Sequence, residues 1–158
     1  MHFSRQSGSP PQSGVGSGGA LHGPWQVVRR NGPQGPGQFT HDVPAPPTIT
    51  SPEIADDPEV TGTPVPRDDL TIGWDQVTET TTGAPVTISG YEVIITKEVP
   101  DDPHGFSRPT YDVHVPPAQN ALSVPAEFLE PGTVYELEVL ALERSGNQTI
   151  SVGFFRTD

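Results

Sequence analysis

No cysteine occurs among the 158 residues. That removes disulfide staples, thiolate nucleophiles and cysteine-based metal sites together. Aromatic residues make up only 7% and hydrophobic residues only 32%, too little for a helical bundle or a coiled coil. No apolar run approaches the roughly 20 residues that a membrane-crossing helix needs, so membrane insertion is not expected. Met1 to Ala20 lacks the run of seven apolar residues that marks a signal peptide. Residues 1–40 contain no Asp or Glu at all, only Arg5, Arg29 and Arg30 as formal charges.

What the chain does have is proline and glycine, 20 and 17, together nearly a quarter of all positions. Nine Gly and five Pro fall in residues 1–40, a composition that cannot bury enough apolar surface to offset its ordering entropy. Residues 41–158 carry all 20 acids against five bases, a net charge of −15. Phosphate recognition needs clustered Lys and Arg, so nucleic acid is excluded as a partner class. The acidity itself reads as a solubility device. The division expected is a Gly/Pro/Ser-rich flexible segment over residues 1–43 and one folded domain over residues 44–158. Within the first, Trp25–Val28 and Phe39–Val43 are short β-favouring runs. They are read as disordered or as the remnant of a preceding domain, a lone hairpin being marginal in water.

After the stiff Pro44-Ala45-Pro46-Pro47 joint, alternation of period two takes over. Strands are expected at Thr48–Ser51, Leu70–Trp74, Tyr91–Thr96, Tyr111–Val115, Leu122–Val124, Val134–Leu142 and Thr149–Thr157. Seven short strands without helical periodicity between them indicate an all-β, seven-stranded antiparallel sandwich. The inward set includes Trp74, Tyr91, Leu129 and Tyr135. The segment Leu129-Glu130-Pro131-Gly132-Thr133-Val134-Tyr135 has the form of a tyrosine corner, whose hydroxyl bonds back to upstream backbone. Together with Leu70-x-Ile72-x-Trp74, Gly90-Tyr91-Glu92-Val93 and the ending Phe155-Arg156-Thr157, it resembles the fibronectin type III family, including modules of bacterial multidomain proteins. The resemblance covers Pro44–Asp158. The sequence departs from the family pattern in a long first connection, Pro52–Asp69, and it holds no Arg-Gly-Asp. The resemblance implies an immunoglobulin-like fold, and a spacer or protein-interaction module of a larger exported protein. It favours an extracellular or cell-surface setting. The alternative role is an accessory module of a polysaccharide-acting enzyme.

Catalysis is not expected. Gly14–Gly19 matches a dinucleotide-binding pattern but lacks the strand before it and the helix after it. No G-x-S-x-G elbow occurs, and no carboxylate is read as bracketed by apolar residues that would raise its pKa. Glu136 and Glu138 are read as ordinary exposed acids. Asp101-Asp102-Pro103-His104 is read as a solvated turn. Asp56-Asp57-Pro58-Glu59 and Asp68-Asp69 are read likewise, with weak calcium binding as the alternative. No metal or cofactor is therefore expected. Asn147-Gln148-Thr149 is a glycosylation sequon or simply a hairpin turn. The candidate interaction face is a strip of outward apolar residues, Ile94, Leu140 and Leu142, on two strands expected to be neighbours. It would meet a protein partner, a neighbouring domain or the Trp25–Val28 strand, unless covered by the domain's own loops or by the stems of Lys97 and Arg144.

Overall fold

The structure, a computed structural model, describes residues 25–27, 42–99 and 108–158. In chain order its strands are β1 (Trp25–Val27), β2 (Ile49–Ser51), β3 (Thr71–Trp74), β4 (Ile88–Lys97), β5 (Pro109–Val115), β6 (Ala121–Ser123), β7 (Val134–Glu143) and β8 (Gln148–Arg156). They form a five-stranded sheet ordered β1-β8-β7-β4-β5 and a three-stranded sheet ordered β2-β3-β6. All pairings between them are antiparallel. The seven expected strands are β2 to β8. Gly14–Gly19, Phe39–His41 and Asp101–His104 lie outside the described residues.

Alternation decides which side of each strand is buried. On β4, Tyr91, Val93 and Ile95 are at most 1% exposed, and on β7 Tyr135, Leu137, Val139 and Ala141 are fully buried. These meet Ile72 and Trp74 from the smaller sheet in one continuous core. The rings of Trp74 and Tyr91 lie 5.4 Å apart at a tilt of 56°. The Tyr91 hydroxyl accepts a bond from the backbone N–H of Val77 at 2.8 Å, and burial pushes its pKa up. At the corner, Gly132 adopts φ +61, a left-handed conformation that glycine tolerates without steric cost. The chain thereby reverses so that Tyr135 Oη accepts a bond from Glu130 N–H at 2.7 Å. Thr157, fully buried, adds a link that the sequence did not suggest: its hydroxyl donates to the Glu130 carbonyl at 2.6 Å and accepts from Thr133 N–H at 3.0 Å.

The long connection between β2 and β3 does structural work along the edge of β8. Ala55 and Phe154 exchange two backbone bonds of 2.8 Å each. Val65 accepts from Asp158 N–H at 3.1 Å and donates to the Arg156 carbonyl at 2.8 Å. The approach is close because position 153 is glycine: a Cβ there would stand 2.6 Å from Ile54 Cδ1. Further along the same edge, Trp25, Gln26 and Val27 pair with Ser151, Ile150 and Thr149. The Trp25 run thus lies along the edge of the sheet. Three residues are too few to hold a conformation alone, but a preformed sheet edge supplies the missing partners.

Asp42 and Asp158 lie at opposite poles of the sandwich. The Asp42 carbonyl accepts from Asn147 Nδ2 at 3.1 Å, beside the β7–β8 turn. The Asp158 carbonyl accepts from Gly132 N–H at 2.9 Å, beside the tyrosine corner. The ten residues of β7 separate these ends, about 30 Å at the rise of an extended strand.

Candidate functional site

The outer face of the five-stranded sheet carries the chemically distinctive residues. β4 and β7 are hydrogen-bonded neighbours. Of the expected strip, Ile94 and Leu142 are half-buried, but Leu140 is only 5% exposed, so the strip is not the open apolar surface expected. In register, Leu140 lies between Glu92 on β4 and Ile150 on β8. Lys97 does not cover the strip either, because its ammonium turns to Glu130 Oε2 at 2.6 Å. The large apolar side chains that are exposed among the described residues lie elsewhere, at Val60, Val99 and Phe128. Phe128 meets Tyr111 edge-on at 5.0 Å, not as the flat stacking platform that the polysaccharide alternative requires. Trp74, Tyr91, Leu129 and Tyr135 are all at most 3% exposed.

Carboxylates crowd the same face. Glu138 stands in register between Ile94 and Val152 on the flanking strands. Burial pushes its pKa up to about 7, with Glu136, Glu92 and Asp112 adding like-charge repulsion. Glu136, in register with Thr96 and Phe154, is raised by burial and then by Glu98. Both observations correct the reading of these two as ordinary exposed acids: what covers them comes from adjacent strands. Glu92 faces His114 directly across β4 and β5, and Asp112 shares that face two residues before His114. His114 Nε2 lies 3.4 Å from Glu92 Oε1, with His114 exposed and Glu92 largely covered. Burial raises the Glu92 pKa, His114 opposes that shift, and the adjacent Asp112 carboxyl reinforces it. One ligand atom each from Glu92, Asp112 and His114 fall within 4.8 Å of one another, a grouping that could hold a metal ion. The linear sequence carries one trace of it, the Asp112-x-His114 spacing that puts an acid and an imidazole on one strand face. By contrast, Asp57 in the first connection caps a short 3-10 turn, accepting from Glu59 N–H at 2.8 Å.

These shifts give a pH dependence with a definite sign. A carboxyl whose pKa is raised on folding holds its proton more tightly in the folded state, so stability falls as pH rises from about 4.5 towards 7. The melting temperature is expected to be higher at pH 5 than at pH 8. Glu138→Gln should flatten that difference, and a pH profile identical to that of the unsubstituted protein would show that Glu138 does not cause it.

Comparison with known proteins bears on what such a face belongs to. No family model matches the sequence and no curated protein matches it. Among solved structures, the third fibronectin III domain of human KIAA0343 protein is similar with a TM-score of 0.52. It is 17% identical, and the match covers 80% of this chain and 93% of that one. The fold is that of a fibronectin type III domain. A type III domain of human collagen alpha-1(XX) chain is 18% identical with a TM-score of 0.43, over 78% of this chain and 91% of that one. The two antiparallel sheets are those of this fold. The acidic patch is formed by side chains that this sequence places on the fold.

Proposed function

We propose that this chain is a non-catalytic type III module acting as a spacer and contact domain of a larger protein, with residues 44–158 as its folded body and Trp25–Val27 paired along the edge of β8. The observation that carries this reading is the placement of Asp42 and Asp158 at opposite poles of the sandwich, beside the β7–β8 turn and the tyrosine corner respectively. A unit so built holds whatever is joined at its two ends one strand length apart, and its two-sheet core resists shortening. The outer face of the five-stranded sheet is the surface this reading assigns to a neighbouring domain or protein partner. There Ile94, Leu140 and Leu142 lie among carboxylates, and a partner of basic character fits that charge.

The absence of native cysteine makes a direct test simple. Asp42→Cys and Asp158→Cys introduced together give two unique labelling sites for a fluorophore pair. Energy transfer should report one narrow distance, about 30 Å between the backbone positions, unchanged between low and high salt. A broad distribution, or a distance that collapses with added salt, would overturn the spacer reading.

A further inference from the structure

We infer that Glu92, Asp112 and His114 form a surface binding site for a divalent transition-metal cation such as Zn2+. Three observations on the outer face of the sheet lead there. The first is the donor set. One imidazole nitrogen and two carboxylates are borderline ligands suited to zinc, leaving the remaining position for water. Their ligand atoms already lie within 4.8 Å of one another.

The second is distance. Ligands held at about 2.0–2.1 Å around a tetrahedral ion are spaced about 3.3–3.4 Å from one another. The observed separation of His114 Nε2 and Glu92 Oε1 is 3.4 Å. The pair would therefore need little rearrangement to share an ion.

The third is charge. Glu92, Asp112, Glu136 and Glu138 share this face, and among the described residues the ion pairs of Lys and Arg, Arg67 with Asp68 and Lys97 with Glu130, engage none of them. His114 is the ring that faces Glu92 across the strands. Glu92 and Asp112 bring two carboxyl groups together from adjacent strands. A bound cation would neutralise both at once, where a protonated imidazole neutralises one. The donors also sit on paired strands, so little ordering is required on binding.

Titration of the full chain with Zn2+ in a non-chelating buffer, followed by calorimetry, tests this. One equivalent is expected to bind, with the His114 ring proton signals shifting in step. Even loss of an outer partner lowers metal affinity about 10–100-fold, so His114→Ala and Glu92→Gln should each weaken binding at least that much. His104→Ala should leave binding unchanged. A thermal melt of each variant confirms that it is folded. Binding that survives both His114→Ala and Glu92→Gln, binding that is lost in His104→Ala, or no binding at millimolar Zn2+ would each overturn the assignment.

Discussion

Trp74→Ala is expected to cost about 3–5 kcal/mol of folding stability, the largest effect of any single substitution considered. Trp74 is 1% exposed and sits on the inner face of the smaller sheet, against Tyr91 of the larger one. It is a principal contact through which the two layers recognise each other. Its indole N–H has no hydrogen-bond partner among the described residues, so the loss is one of packing: an emptied cavity and forfeited apolar contact. Against the 5–15 kcal/mol typical of a domain, such a loss consumes a third or more of the margin. Equilibrium urea unfolding reads it as a fall in the midpoint with little change in slope. Phe128→Ala, at an exposed ring, should move the midpoint far less. Equal midpoints for Trp74→Ala and the unsubstituted protein would remove Trp74 from the core.

Tyr135→Phe isolates a single hydroxyl. The ring is fully buried and stacks on Phe155 with centroids 5.7 Å apart, and phenylalanine keeps that contact. What disappears is the acceptor for Glu130 N–H. A part-buried amide left without its partner costs about 1–3 kcal/mol. The measurement is again the urea midpoint, together with hydrogen exchange at the Glu130 amide, which should accelerate. An unchanged midpoint with unchanged exchange would mean that the corner is held by Gly132 and Thr157 without the tyrosine.

The fold was legible because its strands announce themselves one at a time. Tyr91, Val93 and Ile95 are separated by Glu92 and Ile94, and that alternation alone separates an inner from an outer face. Pro131-Gly132 marks the reversal as a turn whatever surrounds it. The edges of elements were less legible: β4 begins at Ile88, three residues before the alternation becomes clear. The candidate site was largely hidden, because period two assigns a face but not the lateral neighbours on it. Glu92 meets His114 only through the β4–β5 register, and Glu138 gains Ile94 and Val152 as brackets only through two further pairings. Leu140 alternates with the inward residues of β7, and its burial depends on strands before and after it. The Trp25–Val27 strand was hidden for the same reason, since its partners, Thr149–Ser151, lie more than 120 residues further on.

The succession of short segments along β8 has a consequence for how copies of this domain coexist. A bare sheet edge offers a row of unpaired N–H and C=O groups to any extended chain and is a starting point for polymerisation. Here Trp25–Val27, Ala55 and Val65 occupy that row in turn, from Thr149 to Asp158. The opposite edge, β5, is guarded differently: it begins at Pro109, its pairing with β4 shifts register between Ile95 and Thr96, and it carries the charged Asp112 and the imidazole of His114. Along β8 the backbone groups are taken by short segments of the same chain, and along β5 side chains stand in the way. A second molecule that approached either of these strands would therefore find few backbone groups free to extend the sheet.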